Sequence, residues 1–288
     1  MKLNNEHKYI KIVEAPEIKY SDTDYNFDKT ANELISIIIK NNTEENNKII
    51  MQNLKTLKIK NKCKFYKFFI NPIYGKNFKF IAFYELNKNK IVFYKNNKKI
   101  IGHELIHMSS TVCKKGKIQS GFLQIINLKS GKYQIGRGLT EGYTSLESDR
   151  LFGILNNSYY LEKDITKKLE ELVGKNKFKK FFYTADLFGL SKELSKYDEL
   201  DNIVDLFNDI DNLFNNKDLN KKKEIAKSVY LKLYKYNSIK RKKEYNRGLL
   251  SKEEYEQLTL NFGRIYLLQV MKLFGYEPVI EERERILW

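Results

Sequence analysis

"IIGHELIHMSS", residues 100–110, is the stretch on which the reading of this chain turns. The 288 residues include only three histidines, and two of them, His103 and His107, stand four apart with Glu104 directly after the first. On an α-helix, residues i and i+4 project from one face about one turn apart. Two imidazoles at that spacing can each give a ring nitrogen to one ion. Adjacent helical residues are rotated by about 100°. Glu104 is thereby turned away from the ligand position and toward a water at the ion's open site. From there it can take a proton and pass it to a leaving amine. Each residue type in His-Glu-x-x-His answers a separate chemical need. With so few histidines, this composition produces the pattern by chance on the order of 0.003 times per chain.

A catalytic zinc takes three protein ligands and keeps a fourth position for water. The remaining histidine, His7, sits in a polar, irregular N-terminus, so a carboxylate or thiol is expected to complete the set. "IGRGLTEGYTSLESD", residues 135–149, supplies Glu141 near the start of a second helix. Gly138 and Gly142 flank it and permit close backbone approach. Glu147 and Asp149, further into that helix, and Cys113, six residues after His107, are the alternatives.

"HELIH" followed by "GLTEGYT" resembles the gluzincin branch of zinc metallopeptidases. A nearer resemblance is to low-GC bacterial proteins with HELxHM and a GLNEGYTE-like segment. The likeness covers roughly residues 90–155. It implies His103, His107 and Glu141 as zinc ligands and Glu104 as general base, on a zincin-like lobe. One position departs from the pattern. Four residues after the glutamate ligand, where gluzincins carry an acid that orients a ligating histidine, this chain has Ser145. A hydroxyl can accept the same hydrogen bond without the charge, and Glu147 or Asp149 could stand in. Attack on a peptide carbonyl also needs an oxyanion donor. Tyr133, eight residues before Glu141, matches the place some gluzincins use, with Tyr143 and Arg137 as rivals.

The flanks are expected to build an α+β chain. Apolar residues at helical spacing predict one helix from about residue 28 and another from Thr43. The segments "KCKFYKFFI" (62–70), "FKFIAFY" (78–84) and "KIVFY" (90–94) read as three short strands of one sheet, with a further short strand at residues 9–13. "KIVFY" is a candidate edge for an extended peptide, or equally an internal strand. A hairpin is expected around "LKSGK", then a helix from near Thr140 to Phe152. Beyond it the chain reads as helical, in "YYLEKDITKKLEELVG" and "LDNIVDLFNDIDNLF" among others. Ser251 and Glu254 form a capping box opening a long last helix. The expected division is a zincin-like lobe over 1–155 and a helical lobe over 156–288.

Composition narrows the partners. The net charge of +17 comes almost entirely from lysine, with seven arginines. The lysines are scattered, and no Arg-rich stripe or aromatic RNA-binding signature is present, which argues against a dedicated nucleic-acid site. No stretch has the roughly 18 uninterrupted apolar residues that a membrane span requires. Cys63 and Cys113 are too few for a disulfide framework. With no apolar leader run at the N-terminus, the cytoplasm is the expected compartment, leaving open export by a route that uses no leader. The expected activity is zinc-dependent hydrolysis of a peptide or protein substrate. The alternative is a non-catalytic zinc-containing binding or regulatory protein.

Overall fold

The computed structural model describes residues 25–61, 82–94, 97–114, 117–128, 131–153 and 159–274. The expected strands at 9–13 and 62–70, and the first part of 78–84, lie outside these residues, as do His7 and Cys63. What is described is mostly helical with small sheets, an α+β arrangement. No helix among the described residues is long and apolar enough to cross a membrane. The chain divides into two compact units. One takes Met1–Ile118 and Glu147–Leu155, the other Gln119–Leu146 and Asn156–Trp288.

In the first unit, helices α1 (Tyr25–Lys40) and α2 (Glu44–Leu54) precede a three-stranded sheet. Thr43 caps α2 by accepting from the Asn46 N–H. The sheet holds β1 (Lys58–Asn61), β2 (Ala82–Glu85) and β3 (Lys90–Phe93), in the order β1-β3-β2. β3 runs parallel to β1 and antiparallel to β2. It is therefore the central strand, with both edges paired. An extended peptide cannot add to it, and of the two readings of "KIVFY" the internal strand is the one observed. Ile91, Val92 and Phe93 are all buried, as expected where a strand is covered on both faces. The β2–β3 connection closes on Asn89 at φ 43°, a left-handed position that asparagine tolerates. Its amide donates to the Asn53 carbonyl and the Thr56 hydroxyl, both at 2.7 Å.

Helix α3 (Lys98–Ser109) follows and carries "HELIH". Asn97 caps it, accepting from the Lys99 N–H at 2.9 Å. At its far end Ser110 and Thr111 return their hydroxyls to the His107 carbonyl at 3.1 and 2.9 Å. The Asn53 amide donates to the carbonyls of Met108 and Thr111 at 2.9 and 2.7 Å, tying α2 to this helix end. Every residue from Ile101 to Ser109 is buried. Gly102 lets the Phe152 ring approach. A Cβ there would lie 2.6 Å from Phe152 Cε2.

Strands β4 (Thr111–Lys114) and β5 (Lys117–Ser120) form a two-stranded sheet. β6 (Gln124–Leu128) and β7 (Gly131–Ile135) pair antiparallel with Leu128 opposite Gly131, the hairpin expected at "LKSGK". Helix α4 (Arg137–Phe152) starts three residues earlier than its sequence suggests. In the second unit come α5 (Tyr160–Val173), α6 (Lys175–Tyr183), α7 (Leu187–Leu194), α8 (Leu200–Asn215), α9 (Leu219–Asn246) and α10 (Lys252–Leu273). Their apolar stripes are core: Ile165, Leu169, Ile203, Leu206, Phe207, Ile210 and Leu233 are buried. The Ser251–Glu254 capping box is present in both halves, the hydroxyl accepting from the Glu254 N–H and the carboxylate from the Ser251 N–H.

Candidate metal centre

The α3 face turned by the i, i+4 spacing presents both imidazoles together. His103 Nε2 and His107 Nε2 are 3.1 Å apart, with the ring planes 74° from each other. Two ligands about 2.0–2.1 Å from a common zinc and 3.1 Å from each other subtend about 98° at the ion, within reach of the tetrahedral angle. Without an ion the same separation suits one N–H···N hydrogen bond, in which the tautomers decide the donor. Both rings are 9% exposed and Glu104 is 8% exposed, so all three side chains are largely withdrawn from solvent.

Glu141 completes the group. One ligand atom from each of His103, His107 and Glu141 lies within 4.8 Å of the others, an arrangement that could hold a metal ion. Among the described residues, Glu104, Glu147, Asp149 and Cys113 form no part of this group. For Glu104 that is the consequence of the rotation between neighbours on a helix. Glu147 is buried and accepts from Arg150 at 3.2 Å, and Cys113 is exposed.

Helix α4 holds Glu141 through its other faces. Gly138 and Gly142, four apart, bring one side of the helix against foreign backbone. A Cβ on Gly138 would lie 2.6 Å from the Ile210 carbonyl oxygen, and one on Gly142 would lie 2.5 Å from that of Glu162. Tyr143 is fully buried, with Phe178 and Phe182 at ring-centroid distances of 5.0 and 4.7 Å. Its hydroxyl donates to Glu170 at 3.1 Å. The start of the helix is held by Asp211 of α8. One carboxylate oxygen accepts from the Gly136 N–H at 2.8 Å and the other from the Gly138 N–H at 2.7 Å. Burial pushes the Asp211 carboxyl above its ordinary value, against the N–H groups of Gly138, Gly136 and Arg137 and the Arg137 charge, which pull it down.

The sequence does not announce Asp211. A signal exists all the same: Phe207, Asp211 and Phe214 fall at helical spacing, which puts a carboxylate beside the apolar stripe of an amphipathic helix. Such a group needs partners, and here they are the backbone of a segment more than 70 residues earlier.

The expected supporting residues are placed as follows. Tyr133 is exposed on β7, its hydroxyl hydrogen-bonded to Asn208. Tyr143 belongs to the aromatic core. The Arg137 guanidinium lies 5.2 Å from the Phe214 ring centroid. Ser145 is fully buried, and among the described residues its hydroxyl has no hydrogen-bond partner. It therefore does not orient a ligating imidazole by the hydrogen bond its position suggests. A separate hollow of about 570 Å³ is lined by Lys58, Lys60, Asn87, Lys88 and Lys90. It shares no residue with the histidine group, and its ammonium groups repel a divalent cation. Compared with known proteins, the chain matches no family model, no curated protein and no solved structure.

Proposed function

We propose that this protein is a zinc-dependent peptidase built on a zincin-like lobe. The observation that carries the reading is the convergence of two imidazoles and a carboxylate within 4.8 Å, with Glu104 next to His103 on the same helix. Two neutral nitrogens and one anionic oxygen form a donor set suited to zinc with a position left for solvent. A wholly structural site is ordinarily closed by a fourth protein ligand. His103, His107 and Glu141 would hold the ion. When bound, it supplies Lewis acidity, polarising the scissile carbonyl and making water a nucleophile near neutral pH.

The chain's own residues do the rest. The Glu104 carboxylate accepts one proton from the attacking water, whose oxygen bonds to the carbonyl carbon. As the C–N bond breaks, Glu104 returns that proton to the leaving nitrogen, restoring the base and giving an amine and a carboxylic acid, whose remaining proton then passes to the amine to leave a carboxylate and an ammonium. Low exposure at His103, Glu104 and His107 limits competing water and strengthens the interactions on which this transfer depends. Tyr133 is the oxyanion candidate whose hydroxyl a Tyr133→Phe substitution tests without disturbing the core.

A second reading, a non-catalytic zinc-containing binding or regulatory protein, is favoured by one observation. Tyr133, Tyr143 and Arg137 are each engaged with Asn208, the aromatic core and Phe214 respectively. One experiment separates the two. Zinc content and cleavage of a mixed peptide library are measured for wild type, Glu104→Gln and Glu141→Ala. We expect Glu104→Gln to keep zinc and lose about 10²–10⁴ in turnover, and Glu141→Ala to lose zinc. Cleavage that persists in Glu104→Gln refutes the assigned base. Zinc without turnover in the wild type selects the second reading.

A further inference from the structure

We propose that Asp211 is the positioning residue for Glu141, holding the first turn of α4 so that the glutamate carboxylate is fixed where the metal requires it. The proposal rests on Glu141 being a zinc ligand and adds what makes it one. A helix start leaves four backbone N–H groups without intrahelical partners. Here those of Gly136, Arg137 and Gly138 converge on one carboxylate, with both its oxygens in use. The positive end of the helix dipole lies at the same place, which favours an anion there. Asp211 is only 9% exposed, and a buried carboxyl needs hydrogen-bond partners of this kind.

The neighbouring contacts make the junction stiff. Gly136 has φ +86°, and a Cβ there would lie 2.2 Å from the Phe122 carbonyl oxygen, so the turn out of β7 admits only glycine. Gly138 lies against the Ile210 backbone, immediately before Asp211. Phe214, one turn further along α8, takes the Arg137 guanidinium. One face of α8 therefore grips residues 136–138, the turn into α4 and its first two positions.

Glu141 lies in the turn that this grip controls. A tilt of about 10° moves a group about 6 Å from the pivot by about 1 Å, whereas metal–ligand distances tolerate only about 0.2 Å. Loss of the clamp should reach the metal before it unfolds the chain. Outer partners of metal sites are commonly worth 10–100-fold in affinity. Asn at position 211 keeps the volume but offers one acceptor oxygen, and its amide points a donor at a donor.

The test is a competition titration of Zn²⁺ against a chromophoric chelator, run alongside thermal melts, on full-length wild type, Asp211→Asn and Leu233→Ala. Leu233 is a buried core residue of α9 and controls for general loss of stability. We expect Asp211→Asn to bind Zn²⁺ about tenfold more weakly, and Leu233→Ala to melt lower with wild-type affinity. Asp211→Asn that is folded and binds with wild-type affinity overturns the proposal, as does an equal loss in Leu233→Ala. Should Asp211→Asn not fold, Gly138→Ala serves instead. It keeps the carboxylate but drives α4 off the Ile210 backbone, and unchanged affinity in that folded variant overturns the proposal equally. Wild type that binds no Zn²⁺ disposes of the metal reading itself, a result distinct from any of these.

Discussion

Helices α3 and α4 supply the two halves of the candidate metal group by opposite means. α3 takes its caps mostly from its own neighbours, with Asn53 of α2 as the distant addition. Its own neighbour Asn97 caps its start, Ser110 and Thr111 close its end, and its apolar residues bury it along nine consecutive positions. α4 is specified at a distance. Its first N–H groups bond to a carboxylate 73 and 75 positions away, and its glycine face is shaped by the carbonyls of Ile210 and Glu162. The difference teaches that a two-histidine face belongs to any sequence that makes the helix. A third ligand, by contrast, belongs to the packing that carries it there.

The largest effect is expected at α3. His107→Ala removes one of two nitrogens held 3.1 Å apart and should abolish measurable zinc binding while the helix persists, since its caps are untouched. Metal analysis and circular dichroism on the purified variant check both halves. Retained zinc would mean that the ion is held elsewhere.

A smaller effect is expected at the glycines of the two helices. An alanine Cβ at 142 meets the Glu162 carbonyl oxygen, part of a helix backbone, whereas one at 102 meets the edge of the half-buried Phe152 ring. A ring can rotate aside and a helix backbone cannot. Gly142→Ala should therefore cost about 1–3 kcal/mol, a fall in Tm of roughly 2–4 °C for each kcal/mol. In Gly102→Ala the gain in helix propensity, up to about 1 kcal/mol, should leave Tm nearly unchanged. Equal melting shifts would remove the distinction drawn between the two helices.

The smallest expected effect is a pH dependence. Burial raises the Asp211 carboxyl above 3.8 in the folded chain despite its N–H donors. The folded state then holds this proton more tightly than the unfolded state does. The group's contribution to stability is therefore greatest below the unfolded value and declines as pH rises through the interval up to the folded one. Asp211→Asn lacks that titration. The Tm advantage of wild type over the variant should be larger near about pH 3 than near about pH 6. A constant or growing gap across that range contradicts the stated direction.

Much of the site was legible because its signals are short in range. His103, Glu104 and His107 share one helical turn, and Glu141 stood out for its flanking glycines, whose close approach the contacts of Gly138 and Gly142 bear out. The strand "KIVFY" was recognisable, but its place at the centre of the sheet was not. An edge and an internal strand differ in their neighbours, and here those are Lys58–Asn61 and Ala82–Glu85. Sequence alone places the start of α4 late for a related reason. Residues 136–139 hold no side chain that caps a helix, and the cap comes from α8. Ser145 reads from sequence as either a surface hydroxyl or a partner for histidine, and burial without a hydrogen-bond partner among the described residues matches neither.

An α+β chain, a run of amphipathic helices after residue 159, and a pair of imidazoles on one helical face with a carboxylate beside them follow from the order of residues alone. Periodicity and local capping suffice for these, because each depends on residues within a few positions of one another. That Glu141 rather than Glu147, Asp149 or Cys113 groups with the histidines, and that Asp211 anchors the helix bearing it, is visible only in the folded chain. Those outcomes depend on groups far apart in the chain meeting within a few ångströms, and only the packing of the helices that carry them brings that about.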